Sequence, residues 1–208
     1  MLTPLLFALL FSTVNNAPLA MEVKYSVDAT SSIKIAGESN VSPFECLYSE
    51  GLPAGYVTII RDGAADQEFE FSKSALDIKI KSFDCKNSLM NRDLYNAMNA
   101  DKNPFIRVEL QRAFLVKSLP GVLGKRNVTI EISLTINETC KQELVEMSIE
   151  STPNNRLIIR GSKSIKMTDY NITPPSAMMG LIKVKNLITI QFELVVLTDG
   201  VSSYALAS

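Results

Sequence analysis

Carboxylates are the first place to look for chemistry in this chain. Glu68 and Glu70, then Asp84, Asp93 and Asp101, supply paired acids of the kind that divide general acid and base work. Their setting argues for solvated faces instead. Glu68 and Glu70 alternate with Phe69 and Phe71, as the wet side of a strand does, and Asp93 and Asp101 decorate a helical stretch. The chain contains no His, which removes the commonest general base and the commonest metal ligand together. Ser-His-Asp and Cys-His arrangements are thereby excluded, and no GxSxG, phosphate-loop or GxGxxG pattern occurs. Three scattered cysteines without a CxxC make a poor zinc site. We therefore expect no catalytic residues, no metal and no cofactor: the protein is not an enzyme.

The cysteines carry a different message. Cys46 and Cys85 occur in similar settings, "PFEC" and "SFDC", each two residues after a Phe in a strand-like stretch. In an exported protein such a pair reads as a disulfide. Cys140 is the third cysteine and stays open as an alternative partner. Export itself is suggested by the start of the chain. An apolar run from Leu5 to Phe11 leads to Ala17-Pro18-Leu19-Ala20, with Ala20 as the last residue before a cut. That is the order of a secretory signal, although no Lys or Arg precedes the run. The run is too short to span a membrane, which takes ~20 apolar residues. Residues 1–20 are thus expected to be a signal peptide and 21–208 a single domain, periplasmic or secreted, with no permanent membrane span.

The net charge of −1 lacks the basic footprint that a phosphate backbone demands, so nucleic acid is not an expected partner. Sequons begin at Asn40, Asn127, Asn137 and Asn171, and would matter only in a eukaryotic secretory host.

The elements that would position any site are mostly strands. Ile33, Ile35 and Gly37 share a phase, as do Val57 and Ile59, Phe69 and Phe71, and Leu76, Ile78 and Ile80. The pattern continues with Ile106, Val108 and Leu110, with Val128 through Ile136, and with Val145, Met147 and Ile149. In "LITIQFELVV", Ile188, Ile190, Phe192, Leu194 and Val196 make one greasy face. About eight to ten half-buried strands at regular spacing indicate a sandwich or barrel. Turn signals at Asp62-Gly63, Pro120-Gly121 and Pro153-Asn154-Asn155 separate them. One segment breaks the period: Leu89, Met90, Leu94, Ala97 and Met98 fall at helical spacing, so a short helix is expected over 88–100, capped by Asn87 or Ser88. A weaker helical turn is expected in "PPSAMMG".

Several of these stretches resemble the YceI-like family. "YSVDATSSIKIAGESNVSPFEC" is similar to its opening strand pair, and "IKSFDCKNSLMNRDLYNAMNADKNPFIRVEL" to its most distinctive block of turn, helix and strand. "VTIEISLTINETCKQELVEM" resembles the adjoining strand pair, and "SIKMTDYNITPPSAMMGLIKVKNLITIQFEL" the closing turn and final strand. The resemblance implies an all-β fold, an eight-stranded antiparallel lipocalin-like barrel with a short helix over one end. It also implies a long apolar cavity that holds a polyisoprenoid or quinone-like chain.

A barrel of about eight strands is wide enough either to fill with side chains or to hold one slender ligand. Slim Ile, Val and Leu dominate the inward phases and Trp is absent, which leaves room. The expected cavity-lining residues are Ile35, Met90, Leu94, Met98, Ile106, Val108, Ile132, Leu134, Ile188, Ile190 and Phe192. The expected partner is a long-chain apolar lipid, and the expected role an exported carrier or reservoir for it. The alternative is an accessory or stress-related protein with a solid core, acting through a surface contact. The oligomeric state stays open, a dimer included.

Overall fold

A computed structural model describes residues 19–61, 68–115, 124–152 and 155–199. Residues 1–18 of the expected leader lie outside the described residues, as do the turn signals Asp62-Gly63, Pro120-Gly121 and Pro153-Asn154.

The alternating segments form one antiparallel sheet. Its long central strands are β8 (Phe105–Leu115), β9 (Lys125–Ile136), β10 (Thr139–Thr152), β11 (Arg156–Lys166) and β13 (Ile182–Thr198). β9 shows why they fold this way. Val128, Ile130, Ile132, Leu134 and Ile136 project to one side and are all buried. Burying each is worth about 1.5–3 kcal/mol as an upper bound, and a one-residue slip would expose all five. The chain's first strand, β1 (Leu19–Val27), pairs β4 (Gly55–Arg61), which pairs β5 (Glu68–Ser72), which pairs β8. β1 also pairs the end of β13 through Val27↔Val196, and that closes a ring of eight strands. The expected barrel is present. β1 starts at Leu19, two residues ahead of the boundary expected for the mature chain.

At the other end the wall is closed differently. There β13 pairs β2 (Ser32–Ser39), β2 pairs β3 (Pro43–Tyr48), and β3 pairs the two-residue β7 (Phe83–Asp84). β7 runs back through a 3₁₀ turn, Ile80–Ser82, into β6 (Ala75–Lys79), which pairs β8. So β13 shares its second edge between β2 and β1. A further two-residue strand, β12 (Ser176–Ala177), pairs the start of β13. The short pieces raise the number of strands above the eight to ten expected.

The helix α1 spans Ser88–Ala97. It stops short of the expected 100 because Asn99 takes a left-handed conformation, φ 52°. The expected turn in "PPSAMMG" is a 3₁₀ turn at Met178–Gly180. The alternation along β13 has one departure. Val195, on the other side of β13 from Val196, is buried. The 28–31 turn crosses it there: Asp28 N–H donates to the Val195 carbonyl and Val195 N–H to Ser31 Oγ.

Candidate functional site: an apolar cavity under the helix

The barrel interior is packed unevenly. Toward the β1–β4–β5 end, Phe69, Ala113, Val128 and Ile130 are buried in a continuous core. Toward α1 a cavity of about 320 Å³ remains, near the lower end of the ~300–1,000 Å³ range of small-molecule sites. The barrel wall contributes Ile35, Ile106, Ile136, Ile165, Ile188 and Ile190. The helix and its C-cap contribute Met90, Leu94 and Met98, the chain before β12 contributes Ile172, and the start of β13 contributes Ile182 and Val184. Polar groups are few: Ser39, Ser42, Asn87, Asp93 and Ser176. They lie in the β2–β3 turn, at or on the helix, and in β12. The inner face is hydrocarbon.

The helix is held over this space from its edges. Asn87 Oδ1 caps it, accepting from the N–H groups of Leu89 and Met90 at 3.0 and 3.1 Å. Asn91 bridges helix and wall: its Nδ2 donates to Asp84 at 3.0 Å, and its Oδ1 accepts from the Cys85 N–H at 2.7 Å. The bond from Asn91 Nδ2, with those from Lys86, holds the Asp84 carboxyl down at about 2. Tyr95 donates its hydroxyl to the Phe83 carbonyl at 2.7 Å. A Cys46–Cys85 disulfide ties β3 to the residue just past β7, and both cysteines line the cavity. Cys140 is free and exposed. No residue within α1 is fully buried, because its apolar stripe faces the cavity rather than a packed layer.

One side of the wall has a break. The β10–β11 ladder stops at Met147↔Gly161, and beyond it the strands part. The turn after β11 (Met167–Tyr170) closes the gap with Tyr170, which is fully buried. Tyr170 Oη donates to Glu143 at 3.0 Å, and Lys163 Nζ sits 2.6 Å from the same carboxylate. Burial pushes the Glu143 carboxyl up, but the bonds from Lys163 and Tyr170 outweigh it and leave it below its ordinary value. Burial and the Glu143 bond push the Tyr170 hydroxyl far up. This is a structural plug: every polar group in it is occupied by another.

Of the residues expected to line a cavity, Ile35, Met90, Leu94, Met98, Ile106, Ile188 and Ile190 do so. Val108, Ile132, Leu134 and Phe192 do not. Ile132 and Leu134 are buried in the packed wall. Phe192 folds over Gly161, where an added Cβ would come within 2.5 Å of its Cζ. The sequence reading missed Phe44, Ile165, Ile172, Ile182 and Val184. Strand alternation carries a signal for Ile165, Ile182 and Val184, whereas Ile172 lies in irregular chain and has none.

The carboxylates first considered are engaged at the surface. Glu68 faces Arg112, Asp93 faces Arg92, and Asp101 faces Lys81. Among the described residues no group of three or more His, Cys, Asp or Glu converges to hold a metal. No described helix is long and apolar enough to cross a membrane. A second hollow of about 770 Å³ spans the stretch of wall from β9 across β10, β11 and β13 to β2. Its lining mixes the charged and polar Lys34, Glu146, Arg160, Gln191 and Glu193 with Val128, Met147 and Phe192.

No curated protein matches the chain. Solved structures do. BcnA from Burkholderia cenocepacia is similar with a TM-score of 0.59 at 19% identity, over 82% of this chain and 99% of its own. A polyisoprenoid-binding domain from Saccharophagus degradans has a TM-score of 0.54 at 12% identity, over 84% of this chain and 98% of its own. The YceI-like domain model matches residues 52–196, more than half of the sequence, and the chain belongs to the YceI-like family.

Proposed function

We propose that the protein is a non-enzymatic, exported carrier or reservoir for a linear apolar lipid of the polyisoprenoid or quinone-tail class. The observation that carries this reading is the cavity under α1: about 320 Å³, walled by isoleucines and methionines, with few polar groups in its lining. A slender chain entering it would bury CH₂ groups at ~0.8 kcal/mol each, so affinity needs no specific hydrogen bond. Met90, Leu94 and Met98 suit such a ligand because unbranched or flexible side chains repack around it. The Saccharophagus degradans domain of the same fold is described as polyisoprenoid-binding, which supports the ligand class. Export is supported by the leader-like start of the chain and by a disulfide of the kind that persists in oxidising compartments.

The test is native mass spectrometry of protein purified from its own host, followed by extraction and identification of any bound lipid. A co-purifying long-chain lipid, displaced by added polyprenyl alcohol, is the expected result. Protein that leaves its host empty and takes up no polyprenyl alcohol would overturn the reading.

A further inference from the structure

The cavity mouth is ringed by apolar side chains that no part of the described chain covers. Val41 is 68% exposed, Leu89 60%, Met178 68%, Met179 106% and Leu181 71%. They come from three separate segments: the β2–β3 turn, the start of α1 and the arm before β13. Val41, Leu89 and Met178 also line the cavity, so the patch is its outward continuation.

The rim is held in place. Asn40 Nδ2 donates to the Leu181 carbonyl at 2.9 Å, its Oδ1 accepts from the Lys183 N–H at 2.7 Å, and its own N–H donates to the Lys183 carbonyl at 3.0 Å. Those bonds lock the turn bearing Val41 to the arm bearing Leu181. Met178 and Met179 both take left-handed conformations, φ 50° and 57°, a region unfavourable for any residue with a side chain. The backbone thus holds two methionines out in water at a cost, with no partner among the described residues to compensate.

Charge indicates what the partner is. The arm 171–185 contains Lys183 and Lys185 and no Asp or Glu. Around the mouth Glu38 pairs Lys185, Asp84 pairs Lys86 and Asp93 pairs Arg92. Lys183 is exposed and in no ion pair among those described, so an unmatched cation stands on the arm beside the apolar rim. Apolar side chains flanked by an unpaired cation are the chemistry of an anionic bilayer surface.

We propose that the rim formed by Val41, Leu89, Met178, Met179 and Leu181 docks on an anionic lipid bilayer. The cavity mouth then faces the membrane interior, and an insoluble chain passes between the two without crossing water. The purpose, though not the docking, rests on the carrier reading above.

The experiment is co-sedimentation of the full chain with vesicles of phosphatidylcholine alone or mixed equally with phosphatidylglycerol. The wild type and the variants M179S/L181S and K183E are compared. Neither Met179 nor Leu181 lines the cavity, and both are exposed, so the double variant keeps its fold and its interior. Binding to the mixed vesicles is expected, weakened about tenfold or more in M179S/L181S. K183E should weaken binding to the mixed vesicles, with no change on phosphatidylcholine, and added salt should do the same. A wild type that sediments with neither vesicle, or a double variant that binds as well as wild type, overturns docking. So does a wild-type dimer that M179S/L181S converts to monomer without any vesicle binding, which would assign the rim to a second copy. Polyprenyl alcohol binding without vesicles is measured in parallel. Its loss with vesicle binding intact would fell the carrier reading and leave docking standing.

Discussion

Cys46 and Cys85 join β3 to the start of the helical lid, and both side chains face the cavity. The bond replaces a missing ladder. At this end the wall is closed only by the two pairs of β3 with β7 and by the chain running on into β6. Replacing both cysteines by Ala should cost about 2–4 kcal/mol, since a loop with ends 39 residues apart is released in the unfolded chain. Denaturant unfolding measures that. In the native wild type a thiol reagent should label Cys140 alone, and modification of Cys46 or Cys85 without reductant would contradict the pairing.

Ile190 and Phe192 lie one rung apart on the same face of β13 and should respond oppositely. Ile190 borders the cavity, so I190W places its ring in empty space. Apo stability should barely fall, while affinity for polyprenyl alcohol collapses. In a filled core the same change would overpack and cost ~1–3 kcal/mol. Phe192 is half-buried, packs over Gly161 and borders the second hollow, so F192A should cost less than the roughly 3–5 kcal/mol of a fully buried Phe, with little direct effect on binding. Thermal unfolding of each variant with and without ligand separates the cases. Strong destabilisation by I190W with no ligand effect on wild type would show the interior to be filled.

That contrast also marks how far the sequence could be read. Period-two alternation identifies the inward phase, and in β9 Val128, Ile130, Ile132, Leu134 and Ile136 are all buried, with Ser133 the one buried residue of the other phase. It does not report the height along the barrel at which the interior empties. Ile190 and Phe192 look equivalent in sequence, yet about 6.6 Å of strand separates a residue on the cavity under α1 from one that packs over Gly161. The helix was readable from Leu89, Met90 and Leu94 because nothing else in the chain repeats at 3.6. Tyr170 was not readable as a plug, since its burial depends on β10 and β11 parting beyond Gly161. Val195 escaped for the same kind of reason: the 28–31 turn that covers it is remote in sequence.

Gly37 sits opposite Phe44, and a Cβ there would lie 2.5 Å from the ring's Cζ. The ring lines the cavity, so yielding inward takes it into the space for ligand. G37A should therefore cost little stability and shrink the space for ligand, which weakens polyprenyl alcohol binding. Binding titration alongside thermal unfolding checks this. An unaltered affinity would mean that the ring escapes another way.

Acid should release the lid before it unfolds the barrel. Asp84 sits at about 2 in the folded protein, held first by the Asn91 side chain and then by Lys86, against ~3.9 in an unfolded chain. A depressed carboxyl stabilises the fold above its unfolded value, and that contribution fades as pH falls from about 4 through about 2. The affected contacts are local: Asn91 to Asp84, and the Lys86 N–H to the same carboxylate. Amide exchange at Lys86 should accelerate across this window while the β9–β10 ladder stays protected. N91A removes the largest cause of the depression, so the Asp84 midpoint should move up toward ordinary values and lid opening should begin at higher pH. An Asp84 titration followed by NMR in wild type and N91A decides it. Midpoints that coincide would show that Asn91 does not set this carboxylate.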